Sequence, residues 1–174
     1  DRASCYRALG DYSKAISDYS KAISIDPQAF IYNNLGSVYK RAGDEFSALK
    51  AYSQAIEIDG NYVIAYNNRG TLYYEQENYN KALIDFEKAL KLNPNYALAL
   101  CNRAAVFQFQ ENYTSALNDL NKANQLQQNN TTILLNRGIV REMLRDIDGA
   151  CNDWKKSSEL GLERGKYYYI KNCE

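Results

Sequence analysis

The chain has 174 residues, 45% of them apolar, with Lys plus Arg equal to Asp plus Glu at 21 each. Zero net charge gives no electrostatic reason to expect nucleic acid or an acidic membrane as partner. Two prolines and nine glycines argue against an all-β or disordered chain, and no apolar run approaches the ~20 residues that span a bilayer.

In chain order, one pattern recurs. Residues 1–28 carry the end of a unit: Ala3, Tyr6, a turn at Gly10-Asp11, then Ala15, Tyr19 and Ala22, stopped at Pro27. Residues 29–62 repeat it as Gly36, Tyr39, Gly43-Asp44, Ala48, Tyr52 and Ala55. Residues 63–96 read Gly70, Tyr73, Glu77-Asn78, Ala82, Phe86 and Ala89, stopped at Pro94. Residues 97–130 read Ala104, Phe107, Glu111-Asn112, Ala116, Leu120 and Ala123. Residues 131–164 read Gly138, Arg141, Arg145-Asp146, Ala150, Trp154 and Ser157. The remaining 165–174 (GKYYYIKNCE) predict a short capping helix over Trp154.

The steps Ala48, Ala82, Ala116 and Ala150 are 34 residues apart, a period that marks stacked supersecondary units. Within each half the spacings are three and four, the helical period. The short polar turn folds the second helix back antiparallel to the first. Small residues let the axes approach, and the rings fill the space between them. In the last unit Arg141, Ser157 and Ser158 replace an aromatic, an alanine and an aliphatic. They predict a polar outer face, which the end of a repeat array needs. The first residues already read as the middle of a helix, so the chain is expected to be a piece of a longer protein.

The pattern closely resembles the tetratricopeptide repeat family over nearly the whole chain, most plainly from Tyr66 to Pro94 (YNNRGTLYYEQENYNKALIDFEKALKLNP). The resemblance implies an all-α, right-handed superhelical solenoid of antiparallel helix–turn–helix hairpins. It would form a single array over 1–174, with a concave groove lined by the first helices. It also implies a non-catalytic protein-interaction scaffold with no cofactor and no metal. Two alternatives stand beside that function: a self-associating structural array, and the regulatory arm of an enzyme whose catalytic domain lies elsewhere. No membrane insertion is expected. No compartment is assigned, and the cytoplasm stands as the default.

Two columns vary informatively. Arg2, Arg69, Arg103 and Arg137 occur with Asp18, Asp85, Asp119 and Asp153, whereas the remaining unit has Leu35 with Ala51. The joint presence and joint absence predict an Arg–Asp bridge inside each hairpin. The second column is Asn34, Asn68, Asn102 and Asn136, one per first helix. By the resemblance this position faces the groove. An asparagine amide both donates and accepts, so it can pair with a peptide's C=O and N–H together. First helices ~10 Å apart would meet an extended chain about every three residues. The row is similar to the asparagine ladder of O-linked N-acetylglucosamine transferase. The other reading leaves the amides solvated, without a ligand.

Around that ladder, Asn33 and Asn67 precede it by one residue, Phe30 and Ile64 by four, and Tyr74 and Lys40 lie further along the same helices. All six are expected to contact the bound segment, with a cationic touch from Lys40 and Arg41. Chaperone-binding members of the family clamp a terminal carboxylate with Lys or Arg at the place held here by Phe30, Ile64, Leu98 and Thr132, so that mode is not expected. The groove suits a neutral or weakly apolar extended peptide or a partner helix.

Catalytic and metal motifs are missing. The chain has no histidine, no GxxxxGK[ST] and no GxGxxG, so neither a Cys/His or Ser/His pair nor a phosphate cradle has support. The four cysteines (Cys5, Cys101, Cys151, Cys173) form no CxxC pair and read as small buried hydrophobes. The alternative is a Cys151–Cys173 disulfide tying the tail down, which needs an oxidising compartment.

Overall fold

A computed structural model describes residues 2–174, and every regular element among them is an α-helix. The helices are α1 (Arg2–Ala8), α2 (Tyr12–Ile25), α3 (Ala29–Arg41), α4 (Glu45–Ile58), α5 (Val63–Glu75), α6 (Tyr79–Leu92), α7 (Ala97–Phe109), α8 (Tyr113–Leu126), α9 (Thr131–Met143), α10 (Ile147–Glu159) and α11 (Glu163–Cys173). The described residues up to Leu92 form one compact unit and Asn93–Glu174 a second. No described helix is long and apolar enough to cross a membrane.

The hairpin turns follow from residue chemistry. The chain reverses at Gly10, Gly43, Glu77, Glu111 and Arg145, all with positive φ. Glycine meets no penalty there, whereas the other three hold a conformation L-residues avoid. The next residue caps the second helix. Asp11, Asp44, Asn112 and Asp146 each accept the backbone N–H three residues on, at 3.0–3.2 Å, and so satisfy one orphan donor of the first turn.

Within the hairpins a small residue of the first helix faces a large apolar side chain of the second, a ring in all but α8, which has Leu120. A methyl group built on Gly36 would lie 2.7 Å from the Tyr52 ring, and one on Gly70 would lie 2.8 Å from Phe86. On Gly138 it would overlap the indole of Trp154. The second helices contribute the fully buried rings Tyr52, Phe86 and Trp154. Gly70→Ala is therefore expected to lower stability by up to roughly 2 kcal/mol. Overpacking of about 1–3 kcal/mol outweighs a helix-propensity gain of roughly 1 kcal/mol; urea unfolding reads the difference.

In the first unit α3 packs on α2 and α4, and α5 on α4 and α6. Ala3, Ala15, Tyr19, Ile31, Leu35, Val38 and Ala51 form one apolar cluster, so the Leu35–Ala51 pair that lacks charge is core. In the second unit Leu135, Ala150 and Trp154 are covered by Leu162, Tyr168, Tyr169 and Cys173 of the tail. The α11 helix caps the unit as expected, with Tyr168 stacked 5.2 Å from Trp154. It starts two residues before the expected 165.

Three expectations at this end need correction. Arg141 is not a solvated residue: its Nη1 donates to Gly149 O and to Asp153 Oδ2, both at 3.0 Å. Ser157 is fully buried, donates to Thr131 O at 3.1 Å, and lies against Gly165 of α11. Arg141 is thus held by bonds inside its own hairpin, and Ser157 by its bond to α9 beneath α11. The cysteines also divide. Cys151 and Cys173 form a disulfide, with Cα atoms 5.8 Å apart across a separation of 22 residues. Cys5 is exposed, and Cys101 is half-buried with its thiol pushed up to about 11, chiefly by desolvation.

Candidate functional site

The four expected Arg–Asp bridges are present, and they are two-point contacts. Nε and Nη2 of Arg2, Arg69, Arg103 and Arg137 meet both carboxylate oxygens of Asp18, Asp85, Asp119 and Asp153 at 2.6–2.8 Å. The planar guanidinium fork matches that geometry. Arg69 also reaches Ser53 of α4 at 3.0 Å, and Arg137 reaches Asn121 of α8 at 3.3 Å. Each of these two arginines therefore ties its own hairpin to the preceding second helix. Asp85, Asp119 and Asp153 are buried, so these three pairs are internal and already neutralised, whereas Arg2 of the first pair stays exposed.

The ladder residues Asn34 and Asn68 sit on α3 and α5 of the first unit, and Asn102 and Asn136 on α7 and α9 of the second. All four are half-buried. Asn68 Nδ2 donates to Asn33 Oδ1 at 2.8 Å, linking α5 to α3. This leaves Asn68 one amide hydrogen and its carbonyl oxygen. Among the described residues, Asn34 and Asn136 make no side-chain hydrogen bond.

The neighbouring positions separate into two groups. Asn33 and Asn67 are only 4% and 1% exposed, so the expectation that they meet a ligand is corrected. One residue is 100° of helix, enough to turn these amides into the packed interface. Phe30 and Ile64 are 45% and 43% exposed and remain on the accessible side. Tyr74 is partly buried, edge-on to Tyr79 at 5.5 Å beside the hairpin turn. Lys40 pairs with Glu75 of α5 at 2.7 Å.

An open cavity of about 440 Å³ lies within the first unit, lined by Arg7, Ser37, Lys40, Arg41, Tyr52, Asn68 and Thr71. Its walls are the last turn of α1, the C-terminal half of α3, and α5, with the Tyr52 hydroxyl reaching in from α4. That hydroxyl donates to Ser37 Oγ at 3.3 Å, and Ser37 Oγ donates to Asn33 O at 3.1 Å. Burial raises the Tyr52 pKa, helped by the negative charge of Glu75 and opposed by the Ser37 hydrogen bond and the positive charge of Arg7. The phenol therefore stays protonated. Sequence reasoning found Lys40 and Arg41 but missed Arg7 and Tyr52. A signal existed: Arg7 and Lys40 are 33 residues apart, the same step as Ala15 to Ala48.

Two family models match: "TPR repeat" over residues 4–43 and 47–76, and "Tetratricopeptide repeat" over 63–96. No curated protein matches the chain by sequence. Among solved structures, MamA is similar at 23% identity and a TM-score of 0.79, over 96% of this chain and 98% of that one. The PilF protein of Pseudomonas aeruginosa is similar at 21% identity and a TM-score of 0.84, over 95% and 81%. YrrB, described as a TPR protein with an unusual peptide-binding site, is similar at 25% identity and a TM-score of 0.75, over 90% and 85%. Repeat period, hairpin geometry, family models and structural likeness agree: the chain belongs to the tetratricopeptide repeat family.

Proposed function

We propose that the chain is a non-catalytic scaffold that holds an extended peptide or partner segment through the amides of its first helices. The observation that carries this reading is the ladder itself. Asn34, Asn68, Asn102 and Asn136 recur once per first helix and stay half-buried, and Asn34 and Asn136 keep both amide functions unengaged among the described residues. Such amides can exchange two hydrogen bonds with a peptide unit. Phe30 and Ile64 then supply apolar contacts for side chains of the segment, and Tyr74 and Lys40 lie along the same helices. A related protein of the same fold, YrrB, is described as peptide-binding, which favours this use of the surface.

The ladder members are not equivalent as mutational probes. Asn34→Ala removes no internal partner, so it should leave the melting temperature unchanged and weaken a peptide selected on the native protein by roughly five- to tenfold. Asn68→Ala should weaken binding and also destabilise the fold by about 1–3 kcal/mol, because Asn33 Oδ1 then stays buried without its donor. Fluorescence anisotropy and thermal melts on the two variants separate the effects. Unchanged affinity in Asn34→Ala would show a ladder with no binding role at that position.

A further inference from the structure

The cations around the first unit's cavity are not required by the fold. Arg7 stands in the last turn of α1, and Lys40 and Arg41 in the last turn of α3, where positive charge complements the helix dipole. The equivalent positions refute a general need. The last turn of α5 ends on Tyr74 and Glu75, that of α7 on Gln108 and Phe109, and that of α9 on Glu142 and Met143, its one cation Arg141 being bonded to Asp153. These helices end without the same basic pair. Nor is the charge neutralised internally. Lys40 has Glu75, but among the described residues no carboxylate pairs with Arg7 or Arg41. Arg7 is nevertheless half-buried beside the Tyr52 hydroxyl. A partly desolvated guanidinium without a counter-ion favours an anion.

We propose that this cavity receives one carboxylate side chain of the bound segment, an Asp or Glu, held by Arg7 and Arg41 and by the free amide hydrogen of Asn68. The assignment rests on the peptide-binding reading above and adds a charge requirement at one position of the ligand. At about 440 Å³ the cavity admits a side chain together with several waters, each occupying ~30 Å³. The carboxylate of Glu75, beside Lys40, repels a second negative charge, so a singly charged group fits better than a phosphate dianion. The site is not the terminal-carboxylate clamp, whose basic positions are apolar here: Phe30 stands about three turns before Arg41 on α3, and Ile64 about one turn before Asn68 on α5.

The test is a selection of random dodecapeptides displayed against the whole chain and, in parallel, against an Arg7→Gln/Arg41→Gln variant whose fold is checked by circular dichroism. The expected result is a wild-type pool with one acidic position, absent from the variant's pool. For a synthetic peptide from the wild-type pool, replacing that acid by its amide should lower affinity about fivefold or more on the native protein and under twofold on the variant. The native preference should also shrink as salt rises. Peptides enriched without an acidic position would overturn the carboxylate site and leave the groove reading standing. An acidic preference that persists in the variant would place the acid elsewhere and overturn the site. No enrichment on either protein would overturn both.

Discussion

Arg69→Ala is expected to destabilise the protein by about 3–5 kcal/mol, because it strands the buried carboxylate of Asp85 without its counter-ion. The Asp85 side chain is only 4% exposed, and Arg69 also loses its bond to Ser53. At ~2–4 °C per kcal/mol for a chain of this size, the melting temperature should fall by ~6–20 °C. Arg2→Ala makes the contrast. Its bond to Asp18 is as short, at 2.6 Å, but the Arg2 side chain is 71% exposed, so the melting temperature should not move. The chain also contains its own apolar version of the pair, Leu35 with Ala51, both buried. Arg69→Leu combined with Asp85→Ala should therefore recover most of the loss, since replacing both partners of a buried pair with apolar groups is often neutral. If Arg69→Ala and Arg2→Ala melt alike, burial is not what gives these bridges their weight.

The tail is the second place where a small change should have a large effect. The disulfide closes a loop with a sequence separation of 22 residues, for which chain entropy alone gives about 3 kcal/mol. Cys173→Ala should thus lower the melting temperature by ~6–12 °C. Truncation after Leu162 should do more. It removes Tyr168 from the Trp154 ring and uncovers Ser157 and the apolar end of α10, surface that invites aggregation. Calorimetry with and without reductant isolates the bridge, and light scattering on the truncated chain reads the exposed surface. A truncated protein that stays monodisperse and melts like the native one would show that α11 is not a cap.

The helix pairs were legible because the small residue and the ring that faces it recur at helical spacing. Gly70 with Phe86 and Gly138 with Trp154 need each other sterically, and that need is written in residue size. The Arg–Asp bridges were legible for a similar reason, since the chain varies both partners together. What the pattern does not carry is depth. Asn33 and Asn34 are adjacent amides, each repeated 34 residues on as Asn67 and Asn68, yet one is buried and the other half-buried. The difference lies in which neighbouring helix covers each face, as the Asn68–Asn33 bond shows. Arg141 misled because its column is aromatic elsewhere, and only the placement of Asp153 and Gly149 reveals a buried acceptor set. The tail disulfide was visible only as one of two readings, because nothing in the sequence fixes where α11 lies on α10. The cavity was only half legible: Lys40 and Arg41 were visible on α3, but Arg7 ends the incomplete first helix α1 and Tyr52 belongs to a second helix, outside the groove columns.

The claim that the first-helix asparagines grip a peptide by its backbone is tested most directly by backbone N-methylation. Take a peptide selected on the native chain, replace each residue in turn by its N-methyl form, and measure the affinity of every member by anisotropy. Each N-methyl group deletes one backbone donor while leaving the side chain in place. The account predicts losses of roughly fivefold or more at positions about three residues apart. It also predicts that Asn34→Ala abolishes the loss at one of them. Uniform tolerance of N-methylation, with affinity governed by side-chain changes alone, would contradict it.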